Sequence, residues 1–258
     1  MADRSRSFFL FFPNLNKTMK IIKLFAVPAI ILTLAAVSFS QNVSPIKRTT
    51  YKTDRFDFGV GGTLSITGAP YGSITVEGWS NREIEISAEI EVEGKPFKIN
   101  YTEKVPRYTD NHINGGIGDL NISGVEGVMK INYLDTNARI GLVGGGITAV
   151  FGKGNVDITI PTRSWRGRFA DVQVATGTLN LFLPNGLNSN FDASILRTGK
   201  IENSFDELKP RTRHDKFTET VIAAKSGTGT IPLKFTVGDG TMKISGFRHA
   251  SQASIGSN

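Results

Sequence analysis

Glycine spacing constrains the fold of this chain more than any other feature of its sequence. All 28 glycines lie after residue 40, where they make up about 13% of the residues, roughly twice the usual 7%. They separate short runs of alternating apolar and polar residues, of which 84–92 is the clearest. Such alternation is typical of half-buried β-strands. Helical periodicity is nearly absent, since the best candidate, 203–209, is short and ends at Pro210. The sequence therefore predicts an all-β protein.

A short glycine-bounded pattern recurs along the chain. Glycine, polar, apolar, polar, apolar, polar and glycine follow one another at 62–68, 118–124 and 240–246, and a truncated copy occupies 177–181. Each copy predicts a strand with two inward side chains, and the glycines allow the chain to turn at its ends. The copies start about 60 residues apart, which is too long for one solenoid coil but fits two or three. We therefore expect a right-handed β-helix or solenoid-like stack of short strands, with a β-sandwich as the alternative.

The N-terminal segment has the pattern of a secretory signal peptide. Two lysines after Met19 precede an apolar stretch over 24–37, and Ser38 and Ser40 stand at the −3 and −1 positions for cleavage before Gln41. Met19 is an alternative start of translation, because the residues before it form a separate apolar run. An uncleaved signal anchor is the other interpretation, although the stretch is short for a span of about 20 residues.

We expect one large domain after this signal. Two segments, 95–113 and 204–220, contain prolines and charges. The first is interpreted as a long loop or an edge excursion, and the second as another exposed excursion. The predicted organisation is a signal peptide over 1–40, a linker over 41–54, a single all-β domain over 55–250 and a flexible tail over 251–258.

Charge and cysteine content exclude several classes of function. The net charge is +7, but residues 1–40 hold five basic residues and one acidic residue. The rest of the chain has 25 basic against 22 acidic residues, a net charge of +3, which predicts no nucleic-acid groove but could favour anionic glycans or lipid head groups. Cysteine is absent, so neither a disulfide framework nor a thiolate metal site can form.

No motif of the sequence predicts catalysis or a cofactor. The glycines of 141–146 precede a strand instead of a helix, so they are interpreted as turns and not as a phosphate loop. The alternating glutamates of 83–93 fall on one solvent face of a strand, although a polysaccharide-cleaving enzyme stays an alternative. Asp54, Asp57 and Asp239 offer oxygen ligands for calcium, but no complete calcium-binding loop exists. We expect no catalytic, cofactor or metal site.

Two tryptophans are the candidate interaction residues. Trp79 stands beside a turn, and Trp165 is flanked by Arg163 and Arg166. An exposed tryptophan next to arginine can stack on a sugar ring or anchor a protein interface. The alternative is that both rings are partly buried and cap the end of the core.

Several glycine-bounded segments resemble the bacterial "putative adhesin" family of glycine-rich β-repeat domains. They are 62–66, 71–79, 84–92, 174–179 and 237–244. The resemblance covers roughly residues 60–250 and implies an exported or membrane-tethered all-β domain, without catalytic residues to carry over. This chain departs from the family by lacking an obvious lipid anchor or membrane span.

Taken together, these features predict an exported, non-enzymatic, adhesin-like or cell-envelope interaction domain. It would reside in the periplasm, on the cell surface or outside the cell. Its partner would be a protein or glycan of the surface or envelope, not a nucleic acid, and it would touch a membrane only through an uncleaved signal anchor. A structural or regulatory envelope component is the alternative function.

Overall fold

The protein consists of β-strands joined by turns. The computed structural model describes residues 48–59, 61–92, 97–163 and 165–246. Strands account for 72% of these residues, and no helix occurs among them. The predicted signal peptide, including Met19, and the predicted tail lie outside the described residues. Within the described part, no helix has the length and apolarity that crossing a membrane would require.

Fourteen strands form one continuous sheet. They are β1 (Arg48–Asp57), β2 (Thr63–Thr67), β3 (Ile74–Trp79), β4 (Glu83–Val92), β5 (Lys98–Pro106), β6 (Asp110–Ile117), β7 (Leu120–Ser123), β8 (Val128–Gly141), β9 (Gly144–Thr159), β10 (Arg166–Leu183), β11 (Ser189–Asn203), β12 (Lys216–Phe217), β13 (Val221–Ser226) and β14 (Ile231–Gly246). The predicted all-β, solenoid-like stack is confirmed. The sandwich alternative is wrong, because the central strands pair in parallel within one sheet and not in two antiparallel sheets.

Parallel pairing stacks the chain into seven layers. From one end they are β2 with β3, β6 with β7, β8, β9, β10, β14 and β11. Each layer bends once, so every layer has one strand segment before the bend and one after it. Adjacent strands lie about 4.8 Å apart, and the first and last layers are therefore separated by roughly 29 Å.

The bends of successive layers lie above one another and form a column of mostly glycine residues. We call this column the glycine corner. Six of the seven layers contribute a glycine with φ between +131° and +148°, namely Gly72, Gly118, Gly154, Gly177, Gly199 and Gly240. In β8 the corresponding position is Thr136. A Cβ atom on Gly240 would lie 1.8 Å from the carbonyl oxygen of Gly177, and one on Gly177 would lie 1.9 Å from that of Gly154. Both the backbone angle and the close approach of the next layer therefore require glycine. Gly238-Asp239-Gly240 is thus a corner inside one strand.

Side chains from both segments of each layer meet in a common core. In β9, Ile147, Ala149 and Phe151 point inward before the corner, and Val156 and Ile158 point inward after it. All five are fully buried. The same alternation in the neighbouring layers makes the core continuous along the stack.

The C-terminal strand β14 does not follow the chain order. It lies between β10 and β11 and pairs in parallel with both, over 170–183 on one side and 189–203 on the other. The intervening strand β13 pairs antiparallel with the outer edge of β11, and the short β12 pairs with β13. The last layer of the stack is therefore β11, and β14 is enclosed.

Antiparallel strands extend the other end of the sheet, where two predictions are corrected. β1 pairs with β4, β4 pairs with β5, and β5 joins the stack through β3. Residues 48–54 were predicted to belong to a linker, but they form most of β1, because a ten-residue register with β4 supplies backbone partners for their polar sequence. Segment 95–113 was predicted to be a long loop or an edge excursion. From residue 98 onward it instead contains β5 and the start of β6, and Pro106 falls at the end of β5, where a proline breaks no ladder. The helix candidate 203–209 begins at the last residue of β11 and continues as an irregular segment that contains a turn.

Candidate ligand-binding face

The strand segments after the glycine corner present a sheet face to solvent. In β10, Leu179 and Leu181 are fully buried, so the residues between and beyond them, Asn180 and Phe182, point outward. Parallel pairing without a register shift in this region places equivalent residues of successive layers side by side. Outward residues therefore form straight rows across the layers.

A central row of polar side chains crosses all seven layers. Its members, in order of their strands, are Thr75, Asn121, Arg139, Asp157, Asn180, Lys243 and Glu202. We call this row and the outward residues beside it the polar face. Every member of the row can donate or accept a hydrogen bond, and none is apolar.

Side-chain hydrogen bonds link members of the polar face between layers. Asn180 Nδ2 donates to Asp157 Oδ1 at 2.7 Å. In the row nearer the corner, Asn155 Nδ2 donates to Asn137 Oδ1 at 3.2 Å, and Asn137 Nδ2 donates to Asp119 Oδ1 at 3.4 Å. These bonds fix the orientation of amide groups that still have further donors and acceptors for a ligand.

Two shallow depressions in the polar face share two residues. One has a volume of about 350 Å³ and lies between Thr75 and Phe182; the other has a volume of about 570 Å³ and lies between Asp157 and the end of β14. Asp157 and Phe182 line both. The two depressions therefore adjoin along the stacking direction, and we call them together the groove.

Charges of both signs are present in this groove. At one end the hydrogen bond from the Lys200 ammonium lowers the pKa of Glu202, whose other carboxylate oxygen is 3.9 Å from Lys243 Nζ. Arg139 is exposed, and in the described part of the chain its guanidinium has no hydrogen-bond or ion-pair partner. Arg139 is therefore available to a ligand, whereas Glu202 is already engaged.

The predicted interaction residues lie elsewhere. Trp79 ends β3 and is half-buried; its Nε1 donates to the carbonyl oxygen of Glu83 at 2.8 Å, and Lys104 Nζ is 5.6 Å from its ring centroid. The ring is thus held by a turn and by a cation–π contact. Neither this ring nor its partners line the two depressions.

Trp165 is not the exposed ring that an interface anchor would require. Only 5% of its surface is exposed, and a Cβ atom on Gly167 would lie 1.9 Å from the ring, so the indole packs directly over that glycine. Arg163 and Arg166 are exposed at the turn between β9 and β10. Trp79 is on a strand four positions away from β10 in the sheet, so the structure does not bring the two tryptophans together. Participation of Arg163 and Arg166 in binding stays a prediction.

The oxygen ligands considered for calcium are not clustered. Asp54 forms an ion pair with Lys52, and Asp239 accepts hydrogen bonds from the Arg197 side chain and the Thr198 backbone. Among the described residues, no three histidine, aspartate or glutamate side chains are close enough to hold a metal ion.

One carboxyl group that sequence reasoning missed is buried away from the polar face. Glu103 on β5 is 4% exposed and lies in register with Val76 and Ile86. Burial raises its pKa to about 8, and within the described residues its Oε2 has no hydrogen-bond partner. The sequence signal for its burial was the spacing of Tyr101, Glu103 and Val105 at every second residue, which places all three on one face of a strand. This signal was overlooked because the segment was interpreted as a loop or an edge excursion.

Comparison with known proteins adds one structural likeness. No protein-family model matches the sequence, and no curated protein matches it. The chain is similar to a solved structure from Clostridium sporogenes described as a "putative cell adhesion protein", with 11% identity and a TM-score of 0.40. The match covers 78% of this chain and 100% of that chain. At this identity and TM-score the likeness carries no argument about function, so the proposals below rest on the polar face.

Proposed function

We propose that the protein is an exported, non-enzymatic recognition domain of the adhesin type, which binds a cell-surface or envelope component through the polar face. The observation that carries the proposal is the central row, in which seven layers each contribute one polar side chain above a continuous apolar core. A rigid scaffold that presents aligned hydrogen-bonding groups is suited to binding an extended partner without a conformational change.

The state of the carboxyl groups favours binding over polysaccharide cleavage. A glycosidase needs a carboxylic acid of raised pKa beside a carboxylate in the groove. Glu103, whose pKa burial raises to about 8, does not line the groove. In the groove, the pKa of Glu202 is lowered. Release of reducing ends from a panel of neutral and uronate-containing polysaccharides would contradict the non-enzymatic assignment.

The polar face can be tested separately from the rest of the surface. We would label the purified protein and measure its binding to intact bacterial cells and isolated envelopes. Asn180→Ala with Phe182→Ala removes two outward side chains of β10, and Gln173→Ala is the matched control, because Gln173 is an exposed residue of the same strand before the glycine corner. We expect the double variant to lose binding and the control to keep it. Equal binding by all three proteins would refute the assignment of the face.

Export requires its own test. The lysines, apolar stretch and small residues before Gln41 support a cleaved signal peptide. An epitope-tagged chain expressed in bacteria should be recovered outside the cytoplasm with an N-terminus at residue 41. Loss of the tag when protease is added to intact cells would favour the outer surface, and protection until the envelope is opened would favour the periplasm. Recovery of the full-length chain in the cytoplasm would contradict export.

A structural or regulatory role in the envelope is the second candidate. Ile117 and Leu134 are 41% and 64% exposed on neighbouring strands at the other side of the glycine corner, and exposed apolar side chains of this kind favour a protein contact. Cross-linking in intact cells should then recover one fixed protein partner, and Leu134→Ser should weaken that cross-link. Recovery of the uncross-linked monomer alone would count against this role.

A further inference from the structure

Phe182 is the one large aromatic side chain in the lining of the two depressions. It is half-buried, and its neighbours in register are Thr159 on one side and Ser245 on the other. Thr159 is itself in register with Gly141, so the row continues with small residues. No side chain of comparable size therefore flanks the ring in these strands, and its surface is available as a stacking platform.

Hydrogen-bonding groups lie immediately beside this platform. Asn180 is two residues before Phe182 on the same face of β10, and Asp157 is the register partner of Asn180 on β9. Asn121 and Arg139 continue the row on β7 and β8. An aromatic ring next to mixed donors and acceptors complements a sugar ring, which has apolar C–H groups on its faces and hydroxyl groups at its edge.

The local charge selects among polysaccharides. The groove is lined by two cations, Arg139 and Lys243, and by three carboxylates, Glu77, Asp157 and Glu202. Lys200 forms an ion pair with Glu202 at 2.8 Å and brings the local net charge to zero. The chain after residue 40 has a net charge of +3, which by itself would favour an acidic polymer. Because an acidic polymer in the groove would lie against these carboxylates, the local charge favours a neutral ligand.

The length and direction of the groove indicate a polymer. The central row crosses seven strands, a distance of roughly 29 Å at about 4.8 Å per strand. Asp157 and Phe182 line both depressions, so the two adjoin along this row.

From these four observations we infer that the polar face binds a neutral, linear polysaccharide along the stacking direction, with one sugar ring stacked on Phe182 and its hydroxyl groups bonded to Asn180 and Asp157. This inference rests on the proposed function and specifies its ligand.

Affinity electrophoresis of the purified protein tests the inference. Native gels would contain a neutral polymer (dextran, laminarin, galactomannan or arabinoxylan) or an acidic one (polygalacturonate or alginate). We expect retardation by at least one neutral polymer, unchanged when salt is raised from low to physiological concentration, and none by the acidic polymers. Phe182→Ala should weaken the affinity by about tenfold or more. Phe182→Tyr and the control Gln173→Ala should keep it, and thermal unfolding would verify that all variants are folded.

The outcomes separate the inference from the proposed function. Retardation by acidic polymers alone, abolished by salt, would overturn the neutral ligand while leaving the face as the binding surface. Absence of retardation by every polymer, together with cell binding that still depends on Asn180 and Phe182, would overturn the polysaccharide and indicate a protein ligand. Retardation that is equal in Phe182→Ala and in the native protein would overturn the stacking platform. Cell binding that is indifferent to Asn180 and Phe182 would refute the proposed function itself.

Discussion

The buried carboxyl group of Glu103 should make the stability of the protein depend on pH. Its folded-state pKa is raised to about 8 from an ordinary value of 4.5, and the cause is burial. Between these two values the folded chain binds a proton that the unfolded chain releases. The contribution of Glu103 to the free energy of unfolding should therefore be most favourable below about pH 4.5. It should fall as the pH rises towards 8.

The size of the effect follows from the shift. One pKa unit corresponds to about 1.4 kcal/mol, so a shift from 4.5 to about 8 corresponds to a loss on the order of 5 kcal/mol between the two limits. Tyr101, whose pKa is raised by its burial and then by Glu103, titrates above this interval. On the other faces of Glu103 its register partners are the apolar Val76 and Ile86, so no neighbouring charge offsets the loss.

Glu103→Gln isolates this contribution, because it keeps the shape of the side chain and removes the titration. Urea unfolding, followed by tryptophan fluorescence, would be measured at pH 5 and pH 8.5 for both proteins. Trp79 is a suitable probe, since its register partner Pro106 ends the strand that contains Glu103. The two proteins should be similar at pH 5, and the variant should be more stable by several kcal/mol at pH 8.5. A difference that does not change with pH would refute the reasoning.

Two further predictions concern the corner and the position of the last strand. Gly240→Ala should lower the free energy of unfolding by at least about 2 kcal/mol, because φ is +143° and the new methyl group would meet a carbonyl oxygen at 1.8 Å. The control Gly141→Ala has its nearest neighbour at 3.7 Å and should change the free energy of unfolding by less than about 0.5 kcal/mol. Equal effects of the two variants in thermal melts would contradict the requirement for glycine at the corner. In this cysteine-free chain, Thr178→Cys with Thr241→Cys should form an intramolecular disulfide, since register partners lie about 5 Å apart. Thr178→Cys with Lys200→Cys should not, because these residues are two strands apart. Non-reducing electrophoresis of proteolytic fragments would detect the disulfide, and a disulfide only in the second variant would place β11 directly against β10.

The strands could be predicted because their signal is local. Alternation over 84–92 lies within β4, and the same pattern at 156–160 lies in β9 except for its last residue. Three of the glycine-bounded segments, starting at Gly118, Gly177 and Gly240, do begin at the glycine corner. The recurrence of the pattern as a true internal repeat stays a prediction.

The polar face could not be predicted, because its members are far apart in sequence. Asn121, Arg139 and Asp157 follow one another at intervals of 18 residues, and each is an ordinary outward residue of its own strand. Only the register shows that they form one row. Composition instead drew attention to tryptophan, which is rare and therefore conspicuous, but Trp165 serves the core.

The place of β14 in the stack depends on how apolar its segment after the corner is compared with that of β11. Gly177 and Gly199 are 22 residues apart, close to the interval between neighbouring layers, so β10 and β11 could have been expected to pair directly. After the corner, however, β14 directs Met242 and Ile244 inward, and both are fully buried. β11 has only the half-buried Ile201 in that segment before it ends in polar residues. Placing β14 inside and β11 at the end of the stack buries the more apolar segment on both sides, and burial of apolar surface is the dominant favourable contribution to folding. The order of the last two layers is therefore decided by which strand has the more apolar segment after the corner.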